Sequence, residues 1–273
     1  MHSQYFLSQK LALITGASSG IGELTARHLA EKGLHVILVA RREDKLKNIV
    51  SEINSSGGKA EYFVCDLTDE QERDSLFIRI KEANRIPDIL INNAGIGWYG
   101  FFYEMPWNAA KELLAINVEA VAHLTSLFLP EMLIRSYGHI INIGSVAGKL
   151  PEQGIAIYGS SKAFLDSFTT ILHRELKGTK VHVSVLRAGP IKTEFFDAAR
   201  KMENGGNIPA ENIATSTSAV ARKIWNLIRH PRKIVYIPFW MILSPLLEIF
   251  FEWLIDLVGP LLLKLNQKTK TSK

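Results

Sequence analysis

Short, continuous apolar segments alternate with longer segments of helical spacing along most of this chain. Two examples are KLALIT at residues 10–15 and HVILVA at residues 35–40, and neither alternates apolar with polar residues. Continuous apolar segments of this length are typical of parallel strands that are covered on both faces. The sequence predicts strands at residues 10–15, 35–40, 59–64, 88–92, 139–143, 181–186 and 234–237. Helices are predicted at residues 23–32, 43–53, 69–84, 107–135, 157–176 and 219–229, the long one with a bend near Pro130.

The alternation predicts an α/β fold, a doubly wound (Rossmann) seven-stranded parallel sheet with helices on both faces. No linker divides residues 1–240, so we expect a single domain there. Residues 194–218 interrupt the pattern with glycines, a proline and a threonine and serine cluster, which predicts a mobile lid. Ligands of such sheets bind at the carboxyl ends of the strands.

A glycine-rich turn, GASSGIG, joins the first predicted strand to the first predicted helix. Glycines in this position let backbone N–H groups approach a pyrophosphate at the positive end of the helix. A plain strand-to-helix turn would also be rich in glycine, but the position after the first strand favours a dinucleotide site. The residues expected to bind it are Gly16, Ser18, Ser19, Gly20, Ile21 and Gly22.

The end of the second predicted strand indicates which nicotinamide cofactor is used. A carboxylate there would bind the ribose hydroxyls of NAD, but the chain has Arg41 and Arg42, with no carboxylate before Glu43. Two guanidiniums could clamp a 2′-phosphate, so NADP is favoured over a solvated helix start. Asp66 ends the third strand and is placed to bind the adenine amino group, although a helix cap at Asp66 or Thr68 is an equally good interpretation.

Tyr158 and Lys162 are four residues apart on a predicted helix, so their side chains share one face. A fixed ammonium beside a phenol favours the phenolate and lowers its pKa from about 10 towards working pH. Such a phenol can donate and accept a proton. A pair like this is more often an ordinary surface pair, so its meaning depends on the rest of the chain.

Several motifs in register resemble the classical short-chain dehydrogenase/reductase family over roughly residues 10 to 240. One departure is Ala188, where the family more often has proline before the glycine. The motifs are TGASSGIG at residues 15–22, Asp66-Leu67, NNAG at residues 92–95, Asn117, Ser145, Tyr158-x-x-x-Lys162 and GPIKT at residues 189–193.

The resemblance implies a role for each matched residue. Tyr158 is the expected general acid or base, and Ser145 is expected to hydrogen-bond the same substrate oxygen. Lys162 would also bind the nicotinamide ribose, and Asn117 would hold a water that links Lys162 to solvent. Ser145 as a simple turn hydroxyl and Asn117 as a helix-interior residue stay open as structural alternatives. Further cofactor contacts are implied for Leu67, Asn93, Ala94, Gly95, Pro190, Ile191 and Thr193.

The motifs together predict an NADP(H)-dependent oxidoreductase that interconverts a ketone or aldehyde with an alcohol. Aromatic residues at positions 98–102 and 195–196 favour a carbonyl reductase for an apolar substrate, although the same rings could pack under the lid. A second hypothesis is a nucleotide-binding regulatory or structural protein without turnover. A third is a membrane scaffold built around the C-terminal helix.

The segment from residue 234 to residue 263 is strongly apolar and long enough to cross a bilayer. Three prolines interrupt it, and Glu248, Glu252 and Asp256 recur at i, i+4 and i+8, which argues against a span. Residues 241–273 are therefore predicted to form an amphipathic helix followed by a basic tail. Two partners stay open for this helix, a peripheral membrane surface or another subunit of a homo-oligomer (dimer or tetramer).

Composition excludes some other classes of protein. The net charge is only +5, and the basic residues cluster at positions 41–42, 229–233 and 264–273, so no nucleic-acid partner is expected. No metal site is expected either. The single cysteine, Cys65, excludes an internal disulfide and is expected to pack in the core. Residues 1–9 are too short and too polar for a secretory signal, so a cytoplasmic location is predicted.

Overall fold

The structure is a computed structural model that describes residues 10–206 and 215–271. Seven parallel strands form one sheet in the order β3-β2-β1-β4-β5-β6-β7, which confirms the predicted fold. The order reverses between β1 and β4, so the crevice at their carboxyl ends is the expected ligand position. The strands are β1 Leu11–Thr15, β2 His35–Ala40, β3 Lys59–Val64, β4 Ile89–Asn92, β5 Gly138–Ser145, β6 Val181–Ala188 and β7 Ile234–Ile237.

Helices cover both faces of the sheet, with α1, α2 and α8 on one side and α3, α5 and α6 on the other. Successive residues of a strand point to opposite faces, so Ile14 enters one core and Leu13 the other. This double burial explains the continuous apolar strands. The helices are α1 Gly20–Glu31, α2 Glu43–Ser55, α3 Glu70–Glu82, α4 Trp107–Leu114, α5 Ala120–Ile134, α6 Ala156–Glu175, α7 Glu194–Lys201, α8 Thr217–Arg229 and α9 Ser244–Thr271.

The long helical stretch between β4 and β5 is irregular at a different place from the one predicted. Helix α5 continues through Pro130, whereas a π-helical turn, Ala115–Glu119, separates α4 from α5. A π turn changes the backbone hydrogen-bonding pattern and often marks a functional position, and this one holds Asn117. Within the described residues, Trp107–Ile134 alone has the length and apolar character of a membrane span. It packs against β5, α3 and α6, so it is a core helix of this fold.

The predicted lid region begins as a regular helix. Thr193 caps helix α7 by accepting a hydrogen bond from the Phe195 N–H at 3.2 Å. Thr215 pairs with Ile191, and helix α8 begins at Thr217. The remainder of the predicted lid, residues 207–214, lies outside the described residues.

The C-terminal segment forms a short 3-10 helix, Phe239–Leu243, followed directly by α9. Helix α9 is broken at Phe251, where φ is −128° and ψ is 17°. The predicted single helix is thus two helical pieces joined at a bend.

Candidate active site

The glycine-rich turn after β1 packs directly against the turn after β4. A Cβ atom on Gly16, whose φ is +64°, would lie 2.8 Å from the Ala94 Cα atom. A Cβ atom on Gly22 would lie 2.4 Å from the Gly16 carbonyl oxygen. Both approaches are too close for any side chain, so these positions require glycine. The chain therefore turns tightly here, directly before the start of α1.

Asn93 and Thr15 lock these two turns together. The Asn93 side-chain amide donates to the Thr15 carbonyl oxygen at 2.8 Å. The Thr15 hydroxyl accepts from the Asn93 and Ala94 backbone N–H groups, each at 3.0 Å. Asn93 and Ala94 of the NNAG motif therefore hold the carboxyl ends of β1 and β4 together.

A cleft of about 690 Å³ lies at this edge of the sheet. Most of the predicted cofactor residues line it, namely Gly16, Ser18, Ser19, Gly20, Ile21, Arg41, Arg42, Asp66, Leu67, Asn93, Ala94, Gly95 and Thr193. Gly22, Pro190, Ile191, Tyr158 and Lys162 are not part of its lining. The cleft is also lined by residues that the sequence did not assign to the cofactor, although residues 194–201 fall in the predicted lid: Ala40, Lys45, Cys65, Ile96, Ile116, Glu194, Phe195, Asp197, Ala198 and Lys201.

Arg41 and Arg42 both line the cleft, but their guanidiniums have different partners. Arg42 donates to the Ser18 hydroxyl at 2.9 and 3.0 Å and to the Ser19 hydroxyl at 2.7 Å, so it lies over the glycine-rich turn. Arg41 instead lies 3.7 Å from the Asp66 carboxylate and 3.4 Å from that of Glu112. Only Arg42 is therefore placed beside the pyrophosphate turn.

Glu194, at the start of α7, joins the cations on this side of the cleft. Its carboxylate accepts from Arg42 and from Lys45, each at 2.8 Å. The hydrogen bonds from Lys45 and Arg42 lower the pKa of Glu194 to about 2. An anion thus already pairs with two of the cations that line the cleft. Lys45 lies in the first turn of α2, three residues after Arg42, a proximity that could have revealed it, whereas nothing local points to Glu194.

Asp66 lines the cleft, and it is not the cap of the following helix. That cap is Asp69, which accepts from the Gln71 and Glu72 N–H groups. Burial would raise the pKa of Asp66, but the N–H and hydroxyl of Thr68 hydrogen-bond its carboxylate and lower that pKa. Asp66 therefore presents an ionised carboxylate, held by Thr68, to the cleft.

Ser145 and Tyr158 meet beside the cleft. Ser145 ends β5, and its hydroxyl caps the short turn Val146–Gly148 by accepting from the Ala147 N–H at 3.2 Å. Burial raises the pKa of Tyr158, while the neighbouring Ser145 hydroxyl acts in the opposite direction. The phenol is therefore protonated at neutral pH and has a hydroxyl partner next to it.

Lys162 is buried on the same face of α6 as Tyr158. Its ammonium donates to the Ile143 carbonyl oxygen at 3.0 Å and lies 5.8 Å from the centre of the Tyr158 ring. The predicted lowering of the Tyr158 pKa by this ammonium is not found in this geometry, because burial of the phenol dominates. Burial also lowers the pKa of Lys162 to about 8, opposed by the nearby Asp166 carboxylate.

Asn117 is fully buried, and protein groups use its side-chain amide. Its Nδ2 donates to the Ile96 carbonyl oxygen at 2.9 Å and to the Ser161 hydroxyl at 3.1 Å, and its Oδ1 accepts from the Ile96 N–H at 3.0 Å. A Cβ atom on Gly95 would lie 3.1 Å from Asn117 Oδ1 and 3.5 Å from Lys162 Nζ. Asn117 therefore holds the loop after β4 against the helix that carries Lys162.

The motif after β6 contributes one side chain to the cleft. Thr193 contacts the glycine-rich turn, because a Cβ atom on Gly20 would lie 3.2 Å from its side chain. Pro190 and Ile191 instead contact Thr215 through their backbones. The Thr215 N–H donates to the Pro190 carbonyl oxygen at 2.8 Å, and Ile191 forms a parallel β-bridge with Thr215. The motif thus connects the cleft to the start of helix α8.

Aromatic side chains surround Tyr158, but several of them are packing residues. Trp98 and Tyr99 are buried, and the Trp98 ring N–H donates to the Glu203 carbonyl oxygen at 3.0 Å. Phe195 lines the cleft, and its ring centre lies 5.5 Å from that of Tyr158. A crevice beside Tyr158, too narrow to hold a water molecule, is lined by Trp98, Gly100, Phe102, Met105, Ile155, Ala156 and Ile157.

Comparison with known proteins connects this geometry to a family. The family model described as short chain dehydrogenase matches residues 10–204. A short chain dehydrogenase of Pseudocercospora fijiensis is 33% identical over 232 residues, which are 83% of this chain and 71% of that protein. A fatty acyl-CoA reductase of Acinetobacter baylyi is 36% identical over 189 residues, 68% of this chain and 64% of that protein. The solved structure of a short-chain dehydrogenase from Sphingobium yanoikuyae in complex with NADPH has a TM-score of 0.76 and 30% identity, covering 84% of this chain and 88% of that one.

Proposed function

Because the chain belongs to the short-chain dehydrogenase family, we propose that it is a carbonyl reductase that uses NADPH to reduce an apolar ketone or aldehyde. It is an NADP-dependent oxidoreductase acting on a CH–OH group. The observation that carries the proposal is the contact of the Ser145 hydroxyl with a protonated Tyr158 phenol next to the buried Lys162.

The cleft fits NADP(H) in shape and in charge. Gly16 and Gly20 leave the start of α1 accessible to a pyrophosphate. Arg42 and Lys45 already hold the carboxylate of Glu194, so they are placed to hold a 2′-phosphate instead. We assign the 2′-phosphate to Arg42, Lys45 and Ser18, and the adenine side to Asp66 and Leu67.

Tyr158 is the proposed proton donor to the substrate oxygen. The bound cofactor supplies the hydride. A phenol with a raised pKa keeps its proton at neutral pH, so it can donate that proton to the oxygen as negative charge develops there. The Ser145 hydroxyl would hydrogen-bond the same oxygen and stabilise the charge.

Lys162 and Asn117 have supporting roles in this proposal. The Lys162 ammonium, held by Ile143, would bind the ribose next to the nicotinamide and replace the proton lost by Tyr158. Asn117 would position Lys162 and the loop at Gly95, because its amide connects Ile96 with Ser161. We infer that Thr193 and the Ile191 backbone orient the nicotinamide carboxamide.

An apolar substrate is proposed from the walls of the site. Phe195 and the crevice lined by Trp98, Phe102 and Ile155 present carbon atoms next to Tyr158. The relative in Acinetobacter baylyi is named as a fatty acyl-CoA reductase, which supports a lipid-like carbonyl compound. We further propose that residues 1–240 form one domain with a lid at residues 194–218. We also propose that the protein is a homo-oligomer and that it is located in the cytoplasm.

Replacement of Tyr158 by phenylalanine tests the proposal. Tyr158→Phe is expected to abolish NADPH consumption with ketones while NADPH binding, followed by its fluorescence, is retained. The matched control is Tyr62→Phe, which removes a phenol that donates to Glu43 on the surface. Undiminished turnover in Tyr158→Phe would overturn the assignment. Binding of NADPH by the wild type without consumption across a panel of ketones would favour the nucleotide-binding protein without turnover.

A further inference from the structure

Helix α9 is attached to the rest of the protein along one narrow stripe. Ser244 and Leu263 are buried near its two ends. Between them the Gln153 side-chain amide donates to the Ile255 carbonyl oxygen at 3.3 Å. Gly259 lies against the same glutamine, because a Cβ atom there would lie 1.8 Å from Gln153 Oε1. The helix therefore packs on the loop that precedes α6.

The opposite face of α9 is apolar and exposed. Ile249, Phe250, Trp253 and Leu257 are 68%, 65%, 66% and 63% exposed, respectively. Phe239 and Trp240 in the preceding 3-10 helix are also exposed, as are Ile242 and Leu243. A surface helix of a soluble protein normally turns its apolar face inward, so this arrangement is reversed.

The carboxylates of α9 flank this apolar face. Glu248 precedes the break at Phe251 and is half-buried, whereas Glu252 and Asp256 follow the break and are exposed. Glu252 and Asp256 each precede an exposed apolar residue, Trp253 or Leu257, by one position, which is about 100° around the helix. The two carboxylates therefore lie beside the row of Trp253 and Leu257 and not within it.

We propose that this outward face, Phe239 to Leu257, docks into the surface of a bilayer that contains anionic lipid. Lysines 264, 268, 270 and 273 follow the apolar face in the sequence and complement anionic headgroups. Trp240 and Trp253 are residues that favour the interface between headgroups and acyl chains. Three carboxylates within three turns exclude α9 as a span, so the helix lies in the plane of the membrane.

A second copy of the chain is a poorer partner for this face. Protein interfaces combine an apolar centre with a polar rim and about one hydrogen bond per 100–200 Å². The exposed side chains of Ile249, Phe250, Trp253 and Leu257 offer only one donor, the Trp253 ring N–H. The acyl chains of a bilayer can cover these apolar side chains without forming hydrogen bonds to them.

The docking would bring the membrane next to the substrate side of the active site. Leu263 contacts the loops that contain Tyr99 and Gly154. A Cβ atom on Gly154 would lie 3.0 Å from the Leu263 side chain and 2.7 Å from the Tyr99 side chain. Gly154 in turn accepts from the Gly100 N–H at 2.9 Å. This consequence depends on the proposed function: the carbonyl substrate would reach Tyr158 from the bilayer.

Flotation of the full chain with lipid vesicles tests the docking. The wild type is expected to float with vesicles of phosphatidylcholine and phosphatidylglycerol, and less with phosphatidylcholine alone. The double variant Trp253→Glu/Leu257→Glu should reduce the bound fraction at least roughly tenfold, since two apolar side chains lose their burial. The matched control Ile78→Glu alters a 51% exposed isoleucine on helix α3 and should float like the wild type.

Three outcomes would overturn the docking. The wild type could stay at the bottom of the gradient with both vesicle types, or the double variant could float as well as the wild type. In the third outcome the wild type does not float and is a dimer by light scattering, whereas the double variant is a monomer. That result would assign the face to a second copy of the chain.

A separate measurement distinguishes failure of the docking from failure of the proposed function. Consumption of NADPH with a short, water-soluble ketone should be the same in the wild type, the double variant and Ile78→Glu. Only a long-chain ketone presented in anionic vesicles should be reduced more slowly by the double variant. Equal rates for the vesicle-bound ketone would contradict delivery from the bilayer, whereas no turnover of any ketone by the wild type would contradict the proposed function alone.

Discussion

Arg42 is the arginine to which we assign the 2′-phosphate of NADPH. It lies over the glycine-rich turn through Ser18 and Ser19, whereas Arg41 is next to two carboxylates, Asp66 and Glu112. The positive charge of Arg41 is therefore largely neutralised by Asp66 and Glu112, so Arg42 is the better placed of the two to bind a phosphate. The two neighbouring arginines are not equivalent in this fold.

We expect Arg42→Leu to weaken NADPH binding by roughly 10- to 100-fold, because a charge-assisted contact contributes about 1.5–3 kcal/mol. NADH binding should change little, because that cofactor has no 2′-phosphate. Arg41→Leu is the matched control and should weaken NADPH binding by less. Fluorescence titration with both cofactors measures this, and equal losses for NADPH and NADH in Arg42→Leu would contradict the assignment.

At the scale of elements, helix α7 begins between the glycine-rich turn and Tyr158. Thr193 caps its first turn next to the glycine-rich turn, Glu194 pairs with Arg42 and Lys45, and Phe195 contacts Tyr158. A 2′-phosphate would need the cations that Glu194 holds. Binding of NADPH is therefore expected to displace the start of this helix.

Glu194→Gln should tighten NADPH binding about three- to tenfold. The ion pair that the phosphate must displace is about half exposed, so it is weak and its loss has a moderate effect. NADH binding should stay the same. Asp197→Asn is the control, because Asp197 also lies in the first turn of α7 but pairs with Arg200. Weaker binding of NADPH to Glu194→Gln would show that Glu194 supports the cofactor rather than competing with it.

At the scale of the whole molecule, the buried centre of the sheet makes stability depend on pH. His139 on β5 is buried, and its ring lies 2.8 Å from the Ser184 hydroxyl on β6. Burial, together with the nearby His182, lowers the pKa of His139 to about 3. Between about pH 6.5 and pH 3 the unfolded chain therefore binds a proton at this residue that the folded chain does not.

The free energy of unfolding should accordingly fall as the pH drops below 6.5, by about 1.4 kcal/mol per pH unit from His139 alone. His139→Gln keeps a group that can bond Ser184 but cannot ionise, so its stability should fall less steeply. His230→Gln alters an exposed histidine and should leave the slope unchanged. Urea unfolding between pH 7 and pH 5 measures these slopes. Identical slopes in the wild type and His139→Gln would show that burial of His139 does not control acid stability.

The alternation of apolar and helical segments was enough to predict the sheet, because the spacing of apolar residues along a short segment indicates whether a strand or one face of a helix is buried. The positions of Gly16, Asp66 and the NNAG motif also followed from sequence, since each comes directly after a strand and the strand ends meet at one edge. Asn117 was predicted as a site residue, but the π turn that holds it was not, because a π turn has no simple periodic signal.

The sequence by itself determined the sheet, because local periodicity encodes buried strands and helix faces. The cofactor class was predicted from Arg41 and Arg42, and most residues expected at the carboxyl edge were implied by the resemblance of the motifs to a family. Tertiary structure alone decided which arginine faces the glycine-rich turn, since the partner Glu194 is 152 residues away from Arg42. It also decided the direction in which the pKa of Tyr158 shifts, because burial of the phenol outweighs the opposing effect of Ser145. The outward direction of the apolar face of α9 was likewise decided by packing against Gln153, a contact that the helical pattern does not contain.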